Sequence, residues 1–115
     1  MHQDDTLDQG WAPAACTLPT AARPLRLAEF DALFSEAVLG VARPGRDRLR
    51  LDLVGGPENA ARAAGLATRE VGCCSFFTFA LTIAAGSLTL QVTVPPEHVA
   101  VLDALQARAG SPAAR

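Results

Sequence analysis

The residues with the most chemistry in this chain are its three cysteines, two of which are adjacent. Cys73 and Cys74 stand in the segment Glu70-Val71-Gly72-Cys73-Cys74-Ser75-Phe76-Phe77-Thr78-Phe79, and Cys16 lies far upstream. Thiolates are soft ligands that select Cu(I), Zn(II), Hg(II) or trivalent arsenic-like ions. A carboxylate or an imidazole can complete a zinc site, and Glu70 and His98 are the candidates for those roles. Adjacent cysteines on an extended backbone point to opposite faces, whereas at a turn they can converge. If they converge and Cys16 approaches, the sulfurs should meet within about 4–5 Å, because metal–sulfur bonds are about 2.3 Å long. The candidate metal ligands are therefore Cys16, Glu70, Cys73 and Cys74. No catalytic residue and no organic cofactor is assigned.

A plainer role competes with this one. Cysteine is among the most buried residue types and packs as a small hydrophobe. Cys73 is in phase with Phe77, Phe79 and Leu81, which predicts that it enters the core. The pair also follows a predicted helix, whose C-terminal partial negative charge disfavours a thiolate without a nearby cation; Arg69 is the candidate cation. No Cys-x-x-Cys spacing occurs, so neither a thioredoxin-type nor a zinc-finger motif is matched. A disulfide between Cys73 and Cys74 themselves would be strained.

The remaining polar features read as structure. His98 falls in the first turn of a predicted helix and reads as an exposed residue. Gly55-Gly56-Pro57-Glu58 reads as a turn, because no phosphate-binding pattern surrounds it and Glu58 would repel an anion. Arg43, Arg46, Arg48 and Arg50 are diluted by Asp47 and Asp52, as on a solvated edge. No serine or cysteine sits in a recognisable arrangement with histidine and aspartate, and a thiol enzyme would lack an independent base. The pattern leans away from an enzyme.

These side chains need elements to position them. Residues 1–13 read as a flexible N-terminal tail, 14–110 as a single domain and 111–115 as a C-terminal tail. Ala14-Ala15-Cys16-Thr17-Leu18 is a short apolar run suited to an edge strand or arm. Leu27, Phe30, Leu33, Phe34 and Val38 recur at helical spacing up to Gly40. Residues 42–47 read as a turn-rich loop. Leucine then alternates with charge over 48–54, the pattern of a half-buried strand. Residues 57–71 predict a helix with Pro57 at its start, Gly72 at its end, and Ala60, Ala63, Ala64, Ala67 and Val71 inward. A central hairpin occupies 75–94, with Ala84-Ala85-Gly86-Ser87 between two alternating strands. Pro95-Pro96 ends it, and Glu97 to Ala109 reads as a last helix. The expected fold is α+β, a two-layer sandwich of three helices on a mainly antiparallel sheet, in the order (β)-α-β-α-β-β-α. Its outer face would carry Arg48, Arg50, Asp52, Thr78, Thr82, Thr89, Gln91 and Thr93. Such a face suits solvent or a second copy.

Composition narrows the function classes. With 115 residues, half of them apolar, the chain can build one core but not two. Ten arginines and no lysine against twelve acidic residues give a formal charge of −2 and a pI near 5.6, so bulk electrostatics give no basis for nucleic-acid binding. No apolar run suits a membrane span. The acidic N-terminus lacks the basic and apolar regions of a secretory signal. Those features predict a cytoplasmic chain with mostly reduced thiols, and the odd cysteine count argues against a disulfide scaffold.

Ala15-Cys16-Thr17-Leu18, then Leu66-Ala67 with Glu70, then Cys73-Cys74-Ser75-Phe76-Phe77-Thr78-Phe79 resemble a family of small bacterial proteins. The resemblance runs over about residues 14–108 and is most specific at the Cys-Cys segment. Such domains are similar to ones found alone or beside metal-responsive regulators of the mercury-resistance type. The resemblance implies a heavy-metal or metalloid setting and a regulatory protein partner, with no established reaction. It matches residue by residue at Cys16, Glu70, Cys73 and Cys74, while the regulators' own DNA-binding helices have no counterpart here. Two functions follow. One is a thiol-based binder of Zn, Hg, Cu or As ions. The alternative is a non-catalytic interaction module, a homodimer with structural cysteines.

Overall fold

The structure is a computed structural model in which residues 23–110 are described. Helix α1 (Arg23–Ala37) leads into strands β1 (Val38–Gly45) and β2 (Arg48–Leu53), then helix α2 (Pro57–Cys73). Strands β3 (Thr78–Ala84) and β4 (Ser87–Thr93) follow, and a short 3-10 turn (Pro96–His98) runs into helix α3 (Val99–Gly110). The four strands form one sheet in the order β1-β2-β4-β3, antiparallel throughout. Three helices against one sheet make the expected two-layer α+β fold.

The sheet register shows why the alternating leucines matter. Val41 pairs with Leu51, Leu51 with Leu90, and Leu90 with Leu81, so one apolar row crosses all four strands. A parallel row joins Leu49, Val92 and Phe79. Side chains of period two place both rows on one face. The helices cover that face with Phe30, Leu33, Phe34 and Ala37 from α1, Ala63, Leu66 and Ala67 from α2, and Val101, Leu102, Leu105 and Ala109 from α3, all buried. Arg48, Arg50, Asp52, Thr78, Thr82, Thr89, Gln91 and Thr93 occupy the opposite face, exposed or half-buried, as the alternation predicts.

Four expectations are corrected. The α1 helix stops at Ala37 rather than Gly40, and the stretch read as a loop over 42–47 is largely strand β1, closed onto β2 by a turn at Arg46–Asp47. Val38 and Val41 are β-branched, which suits a strand, and an edge position tolerates Pro44 because its missing N–H need not pair. The first described strand thus follows α1, and the run at 14–18 lies outside the described residues, as do Trp11 and both tails. The last helix begins with a 3-10 turn. Finally, α2 is rotated from its expected setting: Ala64 and Val71 are exposed, while Leu66 and Glu70 are buried.

Candidate metal centre

The C-terminal end of α2 is where the chain gathers its chemistry. Residues three apart on a helix share a face, so Glu70 and Cys73 lie together. The helix runs two residues beyond the expected Val71 and takes in Gly72 and Cys73. Cys74 then leaves it with φ −129° and ψ 83°, while its backbone N–H still donates to the Glu70 carbonyl at 2.6 Å. The Phe77 N–H donates to the Cys74 carbonyl at 3.2 Å, which closes a tight turn over Ser75 and Phe76. The Cys73 thiol reaches the same Glu70 carbonyl at 3.6 Å, a weak contact.

This bend makes adjacent cysteines converge. The ligand atoms of Glu70, Cys73 and Cys74 all lie within 4.8 Å of one another. Two sulfurs on one tetrahedral zinc are about 3.8 Å apart, given bonds of about 2.3 Å. Of the four sequence candidates, the structure brings together these three, and Cys16 lies outside the described residues. His98 is not in the cluster; its ring stacks on Phe76 at 4.2 Å between centroids. Phe76 continues to Phe77 at 4.6 Å and Phe77 to Phe79 at 5.3 Å. The segment after the cluster is thus a chain of packed rings.

The two cysteines differ. Cys74, not Cys73, is the one sealed in the core, at 0% exposure, whereas Cys73 is half-buried. The expected inward phase of Cys73 assumed a strand register that starts only at Thr78; with Cys73 still helical, the turn hands the inward position to Cys74. Glu70 is 1% exposed and is the buried charged side chain among the described residues. Its place follows from spacing, since Ala63, Leu66, Ala67, Glu70 and Cys74 repeat at three and four residues along one helical face. That repeat was available in the sequence and was obscured by the smaller, more numerous alanines beside it.

Two further expectations meet the structure here. Arg69, the candidate cation, pairs its guanidinium with Glu29 on α1 at 3.6 Å, with both side chains half exposed. Cys74 is disulfide-bonded, and Cys73 is a reduced thiol. The expectation of mostly reduced thiols therefore does not hold at Cys74, and the cluster can offer all three ligands only when Cys74 is reduced as well. Among the described residues, no helix is long and apolar enough to cross a membrane.

The fold and the cluster define a small α+β two-layer domain with a candidate cation site of one carboxylate and two sulfurs. Set beside known protein families, curated proteins and solved structures, the chain matches none of them.

Proposed function

We propose that the reduced domain binds a soft or borderline-soft cation through Glu70, Cys73 and Cys74. The observation that carries this is the convergence of a buried carboxylate and two sulfurs within 4.8 Å at one turn. Sulfur donors with a carboxylate suit zinc and softer ions and are poor ligands for magnesium or calcium, which prefer an all-oxygen shell. The site also sits at the C-terminus of α2, where partial negative charge favours a cation. That helix end has no basic residue in its last turn to compete. A thiolate is costly there on its own, but a bound cation offsets the repulsion and drives the deprotonation itself. Affinity falls as pH is lowered, because the ligands must release protons to bind.

The setting we favour is metal response or resistance, beside a regulatory protein, on the strength of the Cys-Cys resemblance. The test is a titration of the reduced chain with Zn(II), Hg(II), Cu(I) and As(III), counting reactive thiols before and after each ion. Protection of two thiols per bound ion, lost in Cys73→Ser, is expected. Full thiol reactivity at saturating ion would overturn the reading.

A second reading has its own observation. Cys74 is fully sealed among the core side chains, as a structural cysteine would be. In that case the domain is a non-catalytic interaction module, and its bare outer sheet face pairs with a second copy. Sedimentation of a Cys73→Ser variant would then show an unchanged dimer mass, with no cation dependence.

A further inference from the structure

We infer that the cluster is redox-gated: it takes up a cation only after the disulfide at Cys74 has been reduced. This rests on the cation-binding reading above. Cys74 is disulfide-bonded while Cys73, the next residue, is a thiol. A sulfur in a disulfide cannot become a thiolate, and the thiolate is the metal ligand. In the oxidised chain the donor set therefore falls to the Cys73 thiol and the Glu70 carboxylate. Reduction restores the third ligand without moving an element, because Cys74 already stands within 4.8 Å of the other two.

The two cysteines divide the work. Cys73 is half-buried and gives an incoming ion its first sulfur; Cys74 is sealed at 0% exposure, and its redox state decides whether a second sulfur exists. The described cysteines are Cys73 and Cys74, so the sulfur bonded to Cys74 lies outside the described residues.

The step balances with a dithiol as reductant. One dithiol thiolate attacks the disulfide and forms a mixed disulfide; the second dithiol sulfur displaces it and closes the reductant's own disulfide. Two electrons and two protons pass to the protein, leaving the Cys74 thiol and the partner thiol. A divalent cation then displaces the protons of Cys73 and Cys74. Linkage makes the effect reciprocal: a bound cation holds Cys74 reduced, and oxidation expels the cation.

The experiment uses the full chain and Zn(II), since Hg(II) would bind the single Cys73 thiol and hide the difference. Thiol counts under denaturing conditions identify the fully reduced form, in which all three cysteines react. Zinc affinity is measured anaerobically by competition with a chromophoric chelator, before and after treatment with a dithiol that is then removed. One equivalent should bind the reduced chain, at least ~100-fold more tightly than the oxidised chain, as loss of one of few ligands implies. Equal affinity in both forms overturns the gate and leaves the site reading standing. No binding in either form overturns the site reading itself. Cys73→Ser should keep the disulfide and bind no zinc in either state, with circular dichroism confirming its fold.

Discussion

The helical layer manages charge in opposite ways at its rim and at the end of α2. At the rim, charges face one another across elements within reach of water. Arg108 on α3 grips Asp31 on α1 with two hydrogen bonds, at 3.0 and 2.6 Å. Arg43 on β1 reaches Asp103 and Gln106 on α3, and Arg62 on α2 pairs with Glu36 on α1 at 2.7 Å. These contacts fix how helices sit and leave most of the partners part-exposed, while Arg43 is the more enclosed, with its Nε buried and without a hydrogen bond. At the end of α2, a carboxylate with 1% exposure shares a turn with a sealed sulfur. Charge at the rim is cheap to place and adds little net stability. A buried carboxylate is costly unless something compensates it, so Glu70 is the more demanding charge to place.

The largest expected effect that would sharpen this contrast is at Cys74. Cys74→Ser removes the disulfide and puts a hydroxyl in the core, and it should cost about 2–5 kcal/mol. Urea unfolding measures it, and a cost under about 0.5 kcal/mol, typical of an innocuous surface change, would show the junction to be no more demanding than the rim. Next is Glu70→Ala, expected to cost about 1–3 kcal/mol through disturbed buried polar contacts. The same variant should weaken zinc binding by the reduced chain at least ~10-fold, a change read by chelator competition. If affinity held, Glu70 would be structural and the sulfurs alone would form the site.

The rim should respond less. A double-mutant cycle on Arg108 and Asp31, whose side chains are 30% and 40% exposed, should give a coupling of about 0.5–1 kcal/mol that shrinks with added salt. A coupling several times larger, or one insensitive to salt, would break the distinction between rim and junction. Smallest of all is Arg69→Ala. Its pair with Glu29 is half exposed at both ends, so thermal unfolding should show a change within about 0.5 kcal/mol. Zinc affinity should also stay put; if it dropped, Arg69 would serve the thiols after all.

Much of the fold was legible because its patterns are local. Leu49, Leu51 and Leu53, and Leu88, Leu90 and Val92, alternate with polar residues, and strand geometry alone sends them to one face. Gly86, at φ +73°, sits in the hairpin turn where its lack of a Cβ is needed. Strand β1 was not legible. Val38-Leu39-Gly40-Val41-Ala42-Arg43-Pro44-Gly45 has weak alternation and two glycines, and its burial runs half-buried or exposed throughout. It is a strand because β2 offers a ladder to pair with, a partner that local propensity does not register.

The candidate site divides in the same way. By itself, the sequence determined which side chains have chemistry to offer and that they cluster at the end of a helix. It also determined the two-layer class, through the periods of its apolar residues. Only the tertiary structure decided that α2 runs on through Cys73, which turns Cys74 inward rather than its neighbour. Only the tertiary structure rotated α2 so that Glu70 faces the core. Both outcomes are set by how α2 packs against α1 and β3, and a shift of one residue in helix length or a fraction of a turn in rotation exchanges buried for exposed. That is a global choice between locally equivalent states, made where the core fills best.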